Sequence, residues 1–457
     1  MTATTPQPRT EHDAWGEITI PADAPWGAQT QRAIGHFAIS TEKMPPELMH
    51  ALALIKRCAA RVNASLGTLD PTVADAIAQA AAEVVDGRWA EAFPLSLWQS
   101  GSGTQSNMNM NEVVAHRACA LLGREVHPND EVNLGQSSND TIPTAIHVAA
   151  LLGVERSLRP ALRTLRNTLA TKAEGVRDVM KTGRTHLQHA LPLTLADELL
   201  AWVAQLDQAD AGLEPALRAV QGLAIGGTAV GSGANAHPDF GQRMAEALSE
   251  VTGLPMRRAD NPFAAQAAHD ALLQLHAALR VLALALCKIA DDLRWEASPG
   301  MGEWRLPANE PGSSIMPGKV NPTQCESLVM VCAQVMGNDV AIGVGATLGQ
   351  FQMHAAKPLL AHNLLQSIRL LAGGMRSFEE HCVRGMEADR ERIAATLSPA
   401  MLQATLLAKH IGHEEAATLY REAQASGRPL RELVVERQLA SAEQFDEWTA
   451  NVAAPHR

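Results

Sequence analysis

Four short irregular segments gather hydroxyl, amide or cationic side chains where a helix is expected to begin. They are Ser102 and Thr104; Ser137, Ser138 and Asn139; Thr185 and His186; and Ser313, Ser314, Lys319 and Asn321. One such cluster is an ordinary helix cap. Four of them, one with a lysine and one with a histidine, point to anion binding. Helix N-termini offer free N–H groups and the positive end of the helix dipole. Two carboxylates on one small molecule would need several such ends to converge. The lysine cluster lies in residues 312–322, Gly-Ser-Ser-Ile-Met-Pro-Gly-Lys-Val-Asn-Pro. Its glycines admit unusual backbone conformations and its prolines deny a regular helix. A long irregular loop in a helical chain is usually functional.

The elements that must position these groups read as helices. Apolar periodicity predicts helices over 46–66, 71–86, 105–122, 140–172, 193–221, 263–297, 322–344 and 358–385. Gly153 and Pro160 are soft points within the fourth. Asn321 is expected to cap, and Pro322 to open, the seventh. Asn107, Asn109 and Asn111 alternate with methionines, which suggests polar contacts beyond capping. The glycine-rich run 226–238 follows no strand and lacks dinucleotide-fingerprint spacing, so it reads as a tight loop between helices. Met330 and Met336 are expected in the core. The tail from 387 is more charged and predicts shorter helices. The long helices are apolar on more than one face, more than one chain's own bundle can cover. A homo-oligomer is therefore expected.

Composition narrows the class. The chain has 457 residues, of which 46% are hydrophobic and only 4% aromatic, with one tyrosine. That disfavours an all-β fold. Lysine plus arginine number 38 against 49 acidic residues, a net charge of −11. This argues against nucleic-acid binding, which needs a basic face. Residues 1–13 are polar, with no apolar or arginine-rich leader pattern. The least charged run, 340–356, is cut by glycines and glutamines, so no membrane span is expected. The six cysteines show no CxxC spacing and read as buried thiols in a reducing cytoplasm.

Residues 312–322 resemble the signature of the fumarase/aspartase superfamily, and the chain is similar to its class II fumarate hydratases. The likeness runs through Trp26-Gly-Ala-Gln-Thr30, Gly101-Ser-Gly-Thr-Gln-Ser-Asn107, His127-Pro-Asn-Asp130, Gln136-Ser-Ser-Asn-Asp140, Gly183-Arg-Thr-His-Leu-Gln188 and Thr323-Gln-Cys-Glu326, in family order. Thr185, His186 and Gly318 are similar to fumarases, whereas aspartases typically carry Gln and Ala there.

The resemblance implies an all-α fold of three domains, 1–138, 139–386 and 387–457. The central five-helix bundle would build a tetramer core, with active sites drawing on three subunits. It implies reversible hydration of fumarate to L-malate, a tricarboxylic acid cycle step, with neither metal nor cofactor. Ser313 matches the base and His186 the residue that handles water at C2. Glu326 matches the carboxylate that orients that histidine. Lys319 and Asn321 match carboxylate-binding positions. Ser102, Gly103, Thr104, Ser137, Ser138, Asn139, Thr185, Ser314 and Val320 match further substrate-binding positions. His127, Pro128, Asn129 and Asp130 match a second, peripheral dicarboxylate site.

Three places depart from what fumarases usually show. The segment between Trp295 and Gly302 lacks about three residues and an arginine by comparison with the resembled family. Phe351-Gln-Met-His354 stands where Phe-Glu-Leu-Asn is usual, and Leu134 and His189 replace a lysine and an aspartate. These flanking changes leave open a hydratase of a 2-substituted fumarate such as mesaconate. An ammonia-lyase and a non-catalytic, crystallin-like member are further alternatives.

Overall fold

The computed structural model describes residues 7–397 and 399–449. The fold is all-α: the described residues are 63% helical, and the strands among them form only two-stranded sheets. Two compact units are present. One comprises residues up to Leu162, Gln208–Leu284 and Met330–Gly374; the other comprises Arg163–Asp207, Ala285–Val329 and residues from Met375 onward. The first residues of the polar N-terminal stretch and the last of the C-terminal segment lie outside the described residues.

In the first unit the helices Pro46–Ser65, Pro71–Val85, Thr104–Leu122 and Ser138–Gly153 pack around one core. The predicted apolar face, Leu48, Leu52, Ile55 and Ala59, is fully buried. Asp70 caps the second of these helices by accepting from the Thr72 and Val73 N–H groups, and Pro71 supplies the preset φ at its first position. The soft points predicted near 153 and 160 are real. A π-turn, Val154–Leu158, separates Ser138–Gly153 from Arg159–Glu174, just before a proline that has no N–H to donate. The glycine-rich run is an irregular loop between Leu195–Val220 and Phe240–Thr252, as expected.

The second unit differs from expectation at Thr185 and His186. They do not begin a helix. They close a β-hairpin, Met180–Thr185 against Gln188–Thr194, and the next helix starts only at Leu195. His186 and Leu187 form its two-residue tip with φ of +55° and +58°. That is the twist a tight hairpin requires, and it usually takes Asn or Gly. Gly183 makes the bulge: a Cβ there would lie 2.3 Å from the Leu191 carbonyl oxygen. Further on, the helices Pro399–Ile411, His413–Ser426, Leu430–Glu436 and Ala442–Thr449 enclose their own cluster of Leu407, Leu419, Leu433, Val434 and Phe445.

The longest helices carry exposed apolar side chains. Met330, expected in the core, is 66% exposed, and Val281, Leu284, Trp295, Val340 and Val344 are also exposed. Asp270–Glu296 and Thr323–Ala346 are long and apolar enough to cross a membrane by length and composition alone. The core helix of a folded domain meets the same criterion, so the expectation of no membrane span is not overturned, and polar breaks such as His276 and Asn338 interrupt both helices. These breaks are buried and bonded within the chain: His276 to Asp339 and Ser367, and Asn338 to Ser367.

Candidate active site

In the first unit the predicted hydroxyls come together. Gly103 takes a left-handed conformation (φ +74°) and lets the chain turn directly into the helix beginning at Thr104. The Ser102 and Thr104 hydroxyls are 2.7 Å apart, and those of Thr104 and Ser138 are 2.8 Å apart. Three hydroxyls from the starts of two helices thus form one chain. Thr104, Ser137 and Ser138 line a cavity of about 370 Å³ with Asn107, Asn133, Gln136 and Thr228. Ser137 caps its helix through a capping box with Asp140, and the Asn139 amide donates to the Ala229 carbonyl at 2.8 Å.

Asp140, in the sequence only the last residue of the Gln136-Ser-Ser-Asn-Asp140 motif, is the centre of this half. Its buried carboxylate accepts from the Ser137 N–H at 2.9 Å, the Gly226 N–H at 3.0 Å and the Thr228 N–H at 2.9 Å. It ties the glycine-rich loop to the helix start. Burial pushes its carboxyl up to about 6, against these backbone donors and the Lys56 charge. Lys56, also fully buried, donates to Asn133 Oδ1 and Gln136 Oε1, both at 2.9 Å. Sequence reasoning missed it, although a lysine beside Ile55, on a helix whose neighbours are apolar, was the available signal. The asparagines behave as expected: Asn107 reaches Asn133 at 3.2 Å and Asn109 reaches the Ala92 carbonyl at 3.0 Å.

His127, Pro128, Asn129 and Asp130 form an exposed π-turn near this unit's surface. His127 Nδ1 accepts from the Asp130 N–H at 3.0 Å, and Glu131 accepts from the His127 N–H at 2.8 Å while pairing with Arg124.

In the second unit the hairpin tip is anchored from behind. Lys181 is buried against Glu198, Glu296 and Glu303, and Arg184 pairs with Glu303 at 2.6 Å. Burial and the neighbouring Glu198 hold the Glu296 carboxyl well above its usual value. Burial also works to raise Glu303, but Arg184 and Lys181 outweigh it and hold that carboxyl low. Glu296 and Glu303 bracket the shortened segment 297–302, so this departure is pinned to the hairpin that carries Thr185 and His186. Those two residues and Leu187 are exposed.

The loop 312–322 closes on itself. The Gly312 N–H donates to the Lys319 carbonyl at 2.9 Å, and the Asn321 amide donates to the Gly312 carbonyl at 2.7 Å. The helix begins at Thr323, one residue beyond Pro322, and the Asn321 amide N–H closes the loop by donating to the Gly312 carbonyl. The Ser313 hydroxyl oxygen accepts from the Ile315 N–H at 3.2 Å and the Met316 N–H at 3.1 Å. Ser314, Lys319, Val320 and Glu326 are exposed. Among the described residues, His186 and Glu326 make no hydrogen bond or ion pair within the chain.

Of the other departures, His354 is buried and packs on the His269 ring at 4.6 Å, while Gln352 and His189 are exposed. Leu134 contributes its carbonyl, which accepts from the Asn63 amide at 3.0 Å, so the side-chain change leaves that bond in place.

Residues 16–337 match a family model described as "Lyase", and 404–451 match one described as "Fumarase C C-terminus". The chain is 56% identical to a class II fumarate hydratase of Chromobacterium violaceum, over 96% of this chain and 97% of the other. It is 53% identical to one from Myxococcus xanthus, over 96% of each. A crystal structure of a class II fumarase from Schistosoma mansoni superposes with a TM-score of 0.96 at 41% identity, covering 99% of this chain and 100% of that one. A fumarate lyase:delta crystallin from Brucella melitensis gives 0.92 at 38%, covering 98% and 100%. On this likeness, and on the motifs now located in the fold, the chain belongs to the class II fumarate hydratase family.

Proposed function

We propose that this protein is a fumarate hydratase, a hydro-lyase that interconverts fumarate and L-malate. The observation that carries the reading is the chain of hydroxyls Ser102–Thr104–Ser138 at two helix starts beside an open cavity. Such an array suits one carboxylate of a small dianion, since each helix start adds free N–H groups and a positive dipole end. Asn139 and Gly103 complete this half. Thr185, Ser314, Lys319, Val320 and Asn321 would receive the rest of the substrate.

In the malate-to-fumarate direction Ser313 takes the proton from C3. The C–H electron pair moves into the adjoining carboxylate and gives an aci-carboxylate, which Lys319 and Asn321 stabilise where charge develops. The C2–OH bond then breaks, and the hydroxide leaves as water with a proton from His186, oriented by Glu326. Hydration reverses these steps. A serine is a weak base, and the two N–H groups of Ile315 and Met316 on Ser313 Oγ favour its deprotonated form. No step calls for a metal or cofactor.

The reading includes a cytoplasmic homotetramer divided at 1–138, 139–386 and 387–457. Exposed apolar residues support burial between subunits, among them Met330, Val340 and Val344, as well as Ile315 and Leu187 at the proposed site. The unpaired His186 and Glu326 fit a site completed by other copies. The six cysteines, which form no disulfide among the described residues, suit a reducing compartment. His127–Asp130 would form a peripheral dicarboxylate site.

The test is fumarate absorbance after adding the purified protein, with mesaconate and aspartate as competitors for the assignment. Loss of absorbance with fumarate supports the reading. Turnover of mesaconate alone, or ammonia release from aspartate, transfers it to those substrates.

A further inference from the structure

Behind the hydroxyl pocket of the first unit lies a set of buried charges that the proposed chemistry does not use. Lys56, from Pro46–Ser65, bonds among the described residues only to neutral amides, those of Asn133 and Gln136, which themselves line the cavity. Lys357, at the start of Lys357–His381, is fully buried, and its Nζ has no hydrogen-bond partner among the described residues. Its backbone N–H donates to the Gly101 carbonyl at 2.9 Å. Gly101 in turn lies so close to the preceding residues that a Cβ there would sit 1.7 Å from the Ala355 carbonyl oxygen. The loop carrying Ser102 and Thr104 is therefore seated directly on the Lys357 segment.

The remaining titratable groups facing this region are Asp140, His147, His269 and His354. His147 bonds the Val220 carbonyl and is pushed down to about 4 by burial. Burial, with the nearby Lys357 ammonium, holds His269 low, and burial lowers His354. The imidazoles are thus neutral near pH 7. Two lysines and one aspartate remain, with a net charge of +1 when all three are ionised. A buried ammonium without a partner is costly, so an anion placed nearby relieves that cost.

We propose that Lys56 and Lys357 are positioning residues: with Asp140 they form a buried, net-positive base behind the helix starts carrying Thr104 and Ser137–Asn139, and attract a dicarboxylate through those starts without touching it. The inference rests on the reading that this pocket holds a dicarboxylate. It adds a coupling between anion and proton. Burial lowers Lys56 to about 7 and Lys357 to about 8, with Asp140 opposing both shifts. Between those values the empty pocket is short of protons. A bound dianion favours the protonated lysines, so binding takes up a proton, and by reciprocity rising pH weakens binding.

The experiment has two arms on the full chain. In the first, calorimetry of succinate binding in two buffers of different ionisation enthalpy, between about pH 7 and 8, reads proton uptake directly. In the second, kcat and KM for fumarate are followed across the same range for the native protein, Lys357→Met and Lys357→Arg, with circular dichroism as a folding control. Net uptake is expected, with KM rising several-fold as pH rises while kcat changes less. Lys357→Met should raise KM at neutral pH by about ten-fold, a typical coupling between sites, and flatten its pH dependence. Lys357→Arg should keep KM low to higher pH, because a guanidinium does not deprotonate there. Succinate binding without proton uptake by the native protein overturns the proposal, as does a folded Lys357→Met with native KM at every pH. Proton-linked succinate binding without fumarate turnover would leave this proposal standing and sink the hydratase reading; turnover without uptake does the reverse.

Discussion

The two units present their site residues in opposite ways. In the first, Thr104, Ser137 and Ser138 are half-buried and bonded to one another and to the backbone, and the carboxylate of Asp140 behind them is fully wired. In the second, His186, Lys319 and Glu326 are exposed, and Ser313 is held only by its own loop. The difference separates two tasks. Binding a carboxylate rewards groups fixed before the ligand arrives, because ordering them later would cost affinity. Moving a proton needs groups that stay reachable until substrate is in place, and a loop closed on itself through Gly312 and Asn321 has that freedom.

Substitutions in the two regions should therefore fail differently. The largest effect is expected at Ser313→Ala: kcat falls by about 10³-fold, typical of a lost acid–base group, with little change in KM or melting temperature. Steady-state kinetics beside thermal melts check both. Asp140→Ala should do the opposite and unfold the first unit's pocket. Three N–H groups, two of them buried, lose their acceptor, which costs on the order of 3 kcal/mol in a denaturation curve. Equal stability of Asp140→Ala and the parent would erase the proposed contrast between the units.

Thr104→Ala breaks the hydroxyl chain in its middle and should raise KM by about ten-fold, the worth of one hydrogen bond to a charged group, with a smaller loss of kcat. The buried lysines give the first unit a pH signature as well. Their folded values, about 7 and about 8, lie below the ordinary 10.5. Between the folded and ordinary values the unfolded chain binds more protons, so this contribution makes stability rise with pH across that window. Lys357→Met should flatten the part of the rise above about 8, read from denaturation midpoints in a pH series.

The smallest effect belongs to the hairpin tip. Leu187 sits at φ +58°, which costs a non-glycine residue about 1–2 kcal/mol. Leu187→Gly removes that strain but loosens the unfolded chain, so a net gain of at most about 1 kcal/mol in thermal stability is expected. A clear loss of stability would mean that the leucine side chain is already packed in the assembled protein.

Much of this is legible in the sequence alone. The helix from Pro46 and its buried stripe, the Asp70-Pro71 cap and the soft points at Gly153 and Pro160 follow from local rules of period, capping and missing donors. So did the clustering of Ser102, Thr104, Ser137, Ser138 and Asn139, because motif spacing preserves the helix starts that hold them. Local pattern failed where the deciding partner is remote. Thr185 and His186 looked like another helix start, since nothing nearby in sequence announces that residues 188–194 fold back as a strand. Pro322 looked like the first residue of its helix, yet the helix begins at Thr323, and the Asn321 amide reaches back to Gly312. Met330 looked like core, yet one chain leaves it exposed.

By itself the sequence determined which elements form and which side chains stand at their ends, because hydrophobic period and capping act within a few residues. Only the tertiary structure decided what lies behind those ends. Burial and Coulomb interaction act through space, so Lys56, Asp140 and Lys357, far apart along the chain, become one charge system only when three helices are packed together.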